Sequence, residues 1–276
     1  MPLFAAAVLS STGPRPDNQD SAVAGPGLVA VADGVGGNVG GAVASSLVAS
    51  WLAPLDCAPP GTPVGGAALR LAVDGANRRI ADTVALRPRL RTMATTLVAV
   101  LADGDGFTLA WIGDSRVYLL QGGRLTQVTR DQTLVQALVD GGDLTEAEAA
   151  VHPQRSVVYA ALHGDPGDSA ALQVHRLDAR PGDRLLLCSD GLSDVLPAQQ
   201  LAELLAAPEP PAAVARTLVS AALSARTPDN TTVVVADVLP DGDPAAPPRR
   251  AAAVTAGAAA HPPPEVSEAL EALWPG

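Results

Sequence analysis

The chain has 276 residues, 47% of them hydrophobic and 3% aromatic, enough to bury a full core and to read as globular rather than disordered. A formal charge of -11 argues against a general nucleic-acid binder, which needs a basic face for phosphate. Two cysteines, Cys57 and Cys188, give no disulfide framework, and no run reaches the roughly 18 apolar residues of a membrane span.

Apolar runs at residues 3–9 and 28–32 read as strands, and residues 39–52 as a helix leaving a Gly-rich turn. Residues 67–86 place Leu69, Val73, Ala76, Ile80 and Val84 on one helical face. Strands follow at 96–101 and 107–112, joined by the hairpin signal Asp103-Gly104-Asp105-Gly106, and at 117–120 and 125–128, joined by Gln121-Gly122-Gly123. Two short helices, 132–140 and 145–151, flank Gly141-Gly142, and Thr145 with Glu148 fits a capping box. A strand at 184–188 precedes two helices, 198–206 and 212–224, separated by Pro208, Pro210 and Pro211, before a last strand at 232–238. Closely spaced hairpins imply antiparallel sheet, and with two pairs of long helices the expected class is a layered α+β sandwich. From 241 to 264 the chain is Pro, Ala, Gly and Arg without periodicity and reads as flexible linker, with residues 265–274 either a docking helix or a frayed terminus. The expected division is a domain over 1–239 and a tail over 240–276. No charged segment followed by an apolar run opens the chain, and the expectation is a cytoplasmic protein.

Four aspartates stand where apolar runs stop or start: Asp33, Asp114, Asp190 and Asp229. Strand tips can aim carboxylates at a shared place, and with Asp20 they would form a self-repelling cluster unless cations fill it. Hard oxygen ligands suit Mg2+ or Mn2+. Each pair has an ordinary rival reading. Asp-Gly is a common turn, Asp114-Ser115-Arg116 fits a turn with a local ion pair, and Asp229-Asn230 can simply start a strand. The apolar strands before Asp33 and Asp190 are what a solvated turn does not need.

Arg15-Pro16-Asp17-Asn18-Gln19-Asp20 resembles the R-x-x-N-E-D opening of the metal-dependent Ser/Thr protein phosphatases, type 2C (the PPM family). Asp33-Gly34-Val35-Gly36-Gly37 resembles its D-G-M-G-G box, Met93-Ala94-Thr95-Thr96-Leu97 its M-G-T-T-L box, and Gly113-Asp114-Ser115-Arg116 matches G-D-S-R unchanged. The segments beginning at His152, Ser189 and Asp229 complete the family's order, and the resemblance covers residues 3–238 in the manner of the small bacterial branch.

The resemblance implies a four-layer α-β-β-α sandwich of two antiparallel sheets flanked by helix pairs. It implies two Mn2+ or Mg2+ ions, with Asp33 between them, the Gly34 carbonyl on one, and Asp190 and Asp229 on the other. Asp20 would act through waters, and Asp114 with Asp190 would hold a third, weaker ion. Arg15 resembles the phosphate clamp, its guanidinium fork matching phosphate oxygens. His152 and Ser156 fall in a segment similar to the family's flap, where His152 is either a general acid or a packing residue. Gln19 departs from the usual Glu, removing one charge, and Val35 stands where animal relatives carry a histidine. The implied activity is hydrolysis of phosphoserine and phosphothreonine in proteins by a monomeric enzyme opposing a Ser/Thr kinase, with neither nucleic acid nor membrane as partner. Two alternatives carry different tests. A pseudophosphatase that binds phosphoproteins without turnover is favoured only by Gln19, and a metal-dependent nuclease is disfavoured by the acidic charge.

Overall fold

The computed structural model describes residues 3–36, 39–57, 65–104, 106–243 and 253–267. In chain order the strands are β1 (Leu3–Ser11), β2 (Ser21–Ala24), β3 (Leu28–Ala32), β4 (Gly34–Val35), β5 (Ala94–Thr95), β6 (Leu97–Asp103), β7 (Gly106–Ile112), β8 (Arg116–Gln121), β9 (Arg124–Gln127), β10 (Gln173–Leu177), β11 (Arg184–Cys188), β12 (Thr231–Leu239) and β13 (Val254–Gly257). The helices are α1 (Gly40–Leu52), α2 (Gly66–Leu86), α3 (Leu134–Gly141), α4 (Glu146–Ala150), α5 (Asp168–Ala171), α6 (Asp190–Ser193), α7 (Ala198–Leu205) and α8 (Pro211–Ser224). One sheet has the order β1-β12-β11-β8-β9, the other β10-β7-β6-β3-β2-β13, and every pairing is antiparallel.

Three apolar layers bind four structural ones. Val43 and Leu47 of α1 with Val73 and Ile80 of α2 pack on Ala30 and Leu101 of the six-stranded sheet. Val31, Val100 and Trp111 meet Phe4, Leu185 and Val234 between the sheets. Leu201 of α7 and Leu218 of α8 cover Leu186 and Val235 on the far side. Strand β11 shows why its sequence is apolar from Leu185 to Cys188: Leu185 and Leu187 face the other sheet while Leu186 and Cys188 face the helices. The architecture is the expected α-β-β-α sandwich. Cys188 is a free, fully buried thiol. The Thr145–Glu148 capping box is formed, and Asp103 pairs with Gly106 to close the predicted hairpin.

Residues 253–267 depart from the expectation of a free tail. Strand β13 joins the edge of the six-stranded sheet beside β2, and Val266 is fully buried in the layer under α1 and α2. Burying a valine of that kind contributes about 1.5–3 kcal/mol toward holding a segment that composition alone marks as loose. Of residues 265–274, a docking helix or a frayed terminus in the sequence, the first three are helical and the remainder lie outside the described residues. Among the described residues no helix is long and apolar enough to cross a membrane.

Candidate metal and phosphate site

The two sheets deliver their strand ends to one edge of the sandwich. Strands β3 and β7 end just before Asp33 and Asp114, β11 just before Asp190, and β12 begins just after Asp229. A cavity of about 480 Å³ opens there, lined by Arg15, Gln19, Asp33, Gly34, Asp114, Ser156, Asp190, Asp229 and Asn230 among others. These residues come from six separated stretches and meet at one opening, including all but two of those singled out in the sequence. Asp20 lies behind the cavity wall, 1% exposed, and His152 does not line it.

Asp33 and Asp114 are positioned through the backbone around them rather than by ion pairs. The Asp33 amide donates to Thr96 Oγ1 at 3.1 Å, and its carbonyl accepts from the Thr96 amide and from Thr95 Oγ1, each at 2.9 Å. The paired threonines therefore fix the tip of β3, leaving the Asp33 carboxylate for the cavity. Asp114 sits after Gly113, whose amide donates to Gln132 Oε1 at 2.8 Å. Arg116 does not neutralise Asp114: it makes a forked contact with Asp131, with Nη2 to Oδ2 at 2.7 Å, so the local ion-pair reading of that box does not hold. Asp190 is the first residue of α6, and its Oδ1 is buried without a hydrogen-bond partner. Gly191 beside it has to be glycine, because a Cβ there would strike the carbonyl of Asn230. Asp20 accepts from Ser189 Oγ at 2.8 Å.

Asp229 has a partner. Arg15 Nη2 donates to its Oδ2 at 2.6 Å and Arg15 Nε to the Pro228 carbonyl at 3.0 Å, which sets the guanidinium at the cavity mouth. Ser156 lines this cavity and an adjoining one of about 240 Å³ that also holds Arg155 and Asp194. His152 Nδ1 accepts from the Gln154 amide at 3.2 Å, a turn contact in the segment after α4.

Burial first, and then the neighbouring charges, raise the carboxyls of this cluster. Asp190 is pushed up to about 8 with Asp114, Asp194, Asp20 and Asp229 contributing, and Asp114 to about 7 with Asp131 contributing. Asp20 rises to about 6 despite hydrogen bonds from Thr232 and Ser189 that lower it, and Asp33 rises as well, next to Asp20 and Asp190. A site whose acids resist ionisation, with an orphaned carboxylate oxygen inside it, suits a divalent cation. Among the described residues, no three His, Cys, Asp or Glu side chains are already drawn into a closed cage. The carboxylates face a shared cavity rather than one point, which leaves room for water among the ligands.

One residue escaped the sequence reading. Asn230 Nδ2 donates to the carbonyls of Thr12 at 2.8 Å and Asp17 at 3.0 Å, while its Oδ1 accepts from the Gln19 amide at 2.9 Å. It ties the segment carrying Arg15, Gln19 and Asp20 to the start of β12. Its position beside Asp229 was visible, but nothing local in the sequence marks a side chain whose partners lie more than 200 residues away.

Comparison with known proteins agrees with this arrangement. Residues 14–226 match the family model for protein phosphatase 2C, and the chain belongs to that family. It is 48% identical over 225 residues to the serine/threonine protein phosphatase PstP of Mycobacterium tuberculosis, covering 82% of this chain and 43% of that one. It is 32% identical over 215 residues to the serine/threonine phosphatase stp of Listeria monocytogenes, covering 76% of this chain and 84% of the relative. The crystal structure of the PstP catalytic domain in complex with two manganese ions superposes with a TM-score of 0.77 at 44% identity, covering 87% of this chain and all of that one. The chain thus spans less than half the length of the mycobacterial relative.

Proposed function

We propose that this chain is a metal-dependent phosphoprotein phosphatase that hydrolyses phosphoserine and phosphothreonine. The observation that carries the reading is the single cavity onto which Arg15, Asp33, Gly34, Asp114, Asp190 and Asp229 all open. Two divalent cations bound there would supply charge neutralisation for the phosphoryl group and an acidified water as nucleophile. Asp33 with the Gly34 carbonyl would hold one, Asp33 with Asp190 and Asp229 the other, Asp20 would act through waters, and Asp114 with Asp190 would take a third. The manganese bound by PstP supports Mn2+ or Mg2+ as the ions.

The protein's own part is positioning. Thr95 and Thr96 keep Asp33 aimed at the cavity. Arg15, now paired with Asp229, would exchange that partner for phosphate oxygens once a cation takes the carboxylate, a swap favoured by the match of a guanidinium fork to phosphate. Ser156, in the flap beside both cavities, would border the bound phosphopeptide, whereas His152 would shape the flap turn. We place the enzyme in the cytoplasm as a monomer, opposing a Ser/Thr kinase that draws on ATP there.

Purified protein with Mn2+ is expected to hydrolyse p-nitrophenyl phosphate and a phosphothreonine peptide. Turnover is expected to disappear with EDTA and in Asp33→Asn or Asp190→Asn. Persistence of hydrolysis in either variant would remove the metal mechanism.

A further inference from the structure

The segment after the phosphatase-like region returns to the back of the site. Strand β13 lies antiparallel to β2, with Gly257 opposite Ser21, the residue that follows Asp20. The Ala258 amide then donates to the Asp20 carbonyl at 2.7 Å. Gly257 approaches so closely, at φ +68°, that a Cβ there would overlap the same carbonyl oxygen and crowd Ser10 Oγ. Ser10 Oγ in turn accepts from Asn18 Nδ2 at 2.8 Å and shares a 2.6 Å hydrogen bond with Thr232. Beyond the turn, Val266 is fully buried under α1 and α2, and Glu265 meets Arg89 at 2.6 Å. The segment is thus anchored at its far end and presses its near end against the backbone of one carboxylate of the site.

We propose that residues 253–267 are a positioning clip for Asp20: the Gly257–Ala258 turn fixes the Asp20 backbone so that its side chain, bonded to Ser189, stays oriented toward the metal cavity. The clip acts through Asp20 and touches neither cation nor substrate. The clip lies beyond residues 3–238, the stretch that resembles the family. Its physical logic is that of partners behind a ligand: they fix its orientation, and their loss weakens metal binding even though no ligand is removed. This inference rests on the placement of Asp20 in the metal site.

The test uses the full chain, stripped of metal, in calorimetric titrations with Mn2+ well below the melting temperature, beside melting curves in EDTA. Gly257→Val forces the turn off Asp20, and Val266→Ala loosens the far anchor without touching the site. Both are expected to weaken Mn2+ binding, Gly257→Val by about 10-fold and Val266→Ala by less. Should Val266→Ala, with Gly257→Val where it folds, lower the melting temperature yet bind Mn2+ as the wild type does, the clip is only structural and the proposal is overturned. Asp20→Asn separates the two levels. If it weakens binding while the clip variants do not, the clip alone falls. If Asp20→Asn leaves binding unchanged, the placement of Asp20 falls and the clip with it, whatever the clip variants do.

Discussion

Asp190 combines burial, like charge and a missing hydrogen bond in one side chain, and its chemistry follows from that combination. Its carboxyl is raised from an ordinary 3.8 to about 8, with Asp114 at about 7 and Asp20 at about 6, and burial is the largest cause for each. The folded, metal-free protein therefore holds protons that the unfolded chain releases. Stability from these groups is fully present below the unfolded value and is lost as pH rises through 6 to 8. The EDTA-treated protein is expected to melt at a lower temperature at about pH 8.5 than at about pH 5.5, and Asp190→Asn is expected to flatten that fall. Scanning calorimetry reads both, and a wild-type melting temperature that rises over this range contradicts the buried cluster. Mn2+ competes with these protons, so its affinity should climb over the same interval. Gln19 belongs to the same balance. Its backbone is fixed at both ends, the amide on Asn230 and the carbonyl on Ser45 Oγ at 2.6 Å, and the residue lines the cavity. Gln19→Glu adds a charge to a cluster already short of cations, so Mn2+ should bind about fivefold tighter, roughly 1 kcal/mol, while the metal-free protein melts lower. Unchanged affinity in a titration would make this departure from the family pattern electrostatically neutral.

At the scale of elements, the site is a meeting of strand ends held in register by side chains from distant segments. Asn230 illustrates the cost of that construction. Asn230→Ala leaves the half-buried Gln19 amide and the carbonyls of Thr12 and Asp17 without their partners. Leaving such groups unpaired is expected to cost about 2–3 kcal/mol in urea denaturation, and to loosen the segment bearing Arg15, so that KM for a phosphopeptide rises. A variant as stable as wild type would mean that the segment is held elsewhere. The elements themselves were unequally legible. Strands β3 and β11 were legible to the residue because both faces of Leu28–Ala32 and of the stretch from Leu185 to Cys188 are buried and those stretches are apolar without a break. Strand β10 was missed because Gln173-Val174-His175-Arg176-Leu177 lies at a sheet edge, with His175 and Arg176 exposed and no alternation to mark it. Strand β13 was missed for a different reason. Val254-Thr255-Ala256-Gly257 is short, follows a Pro- and Ala-rich stretch, and pairs with a strand some 230 residues earlier, a contact that no local pattern encodes. The carboxylates were legible because a charged residue ending an apolar run is anomalous. The hydrogen bonds that aim them were not, since Thr95, Thr96 and Asn230 are ordinary residues wherever their partners are unknown.

Across the whole molecule, stability and chemistry occupy different regions, so they should separate by mutation. The layer between the sheets is dominated by apolar contacts such as Phe4 on Phe107, stacked with ring centroids 4.8 Å apart, and neither residue lines the carboxylate-lined cavity. The cavity instead concentrates groups that repel one another and that the fold holds together at a cost. Phe4→Ala is expected to lose about 3–5 kcal/mol of stability while keeping its Mn2+ affinity and its turnover of p-nitrophenyl phosphate at low temperature. Asp33→Asn is expected to do the reverse: it relieves repulsion, melts higher than wild type in EDTA near pH 8, and gains little from added Mn2+. Melting curves with and without Mn2+ read both variants in one experiment, because a ligand stabilises a fold only as far as it binds the folded state. If Phe4→Ala lost its Mn2+ response along with its stability, the core and the cavity would be one cooperative unit, and the division of labour between sheets and strand ends would not hold.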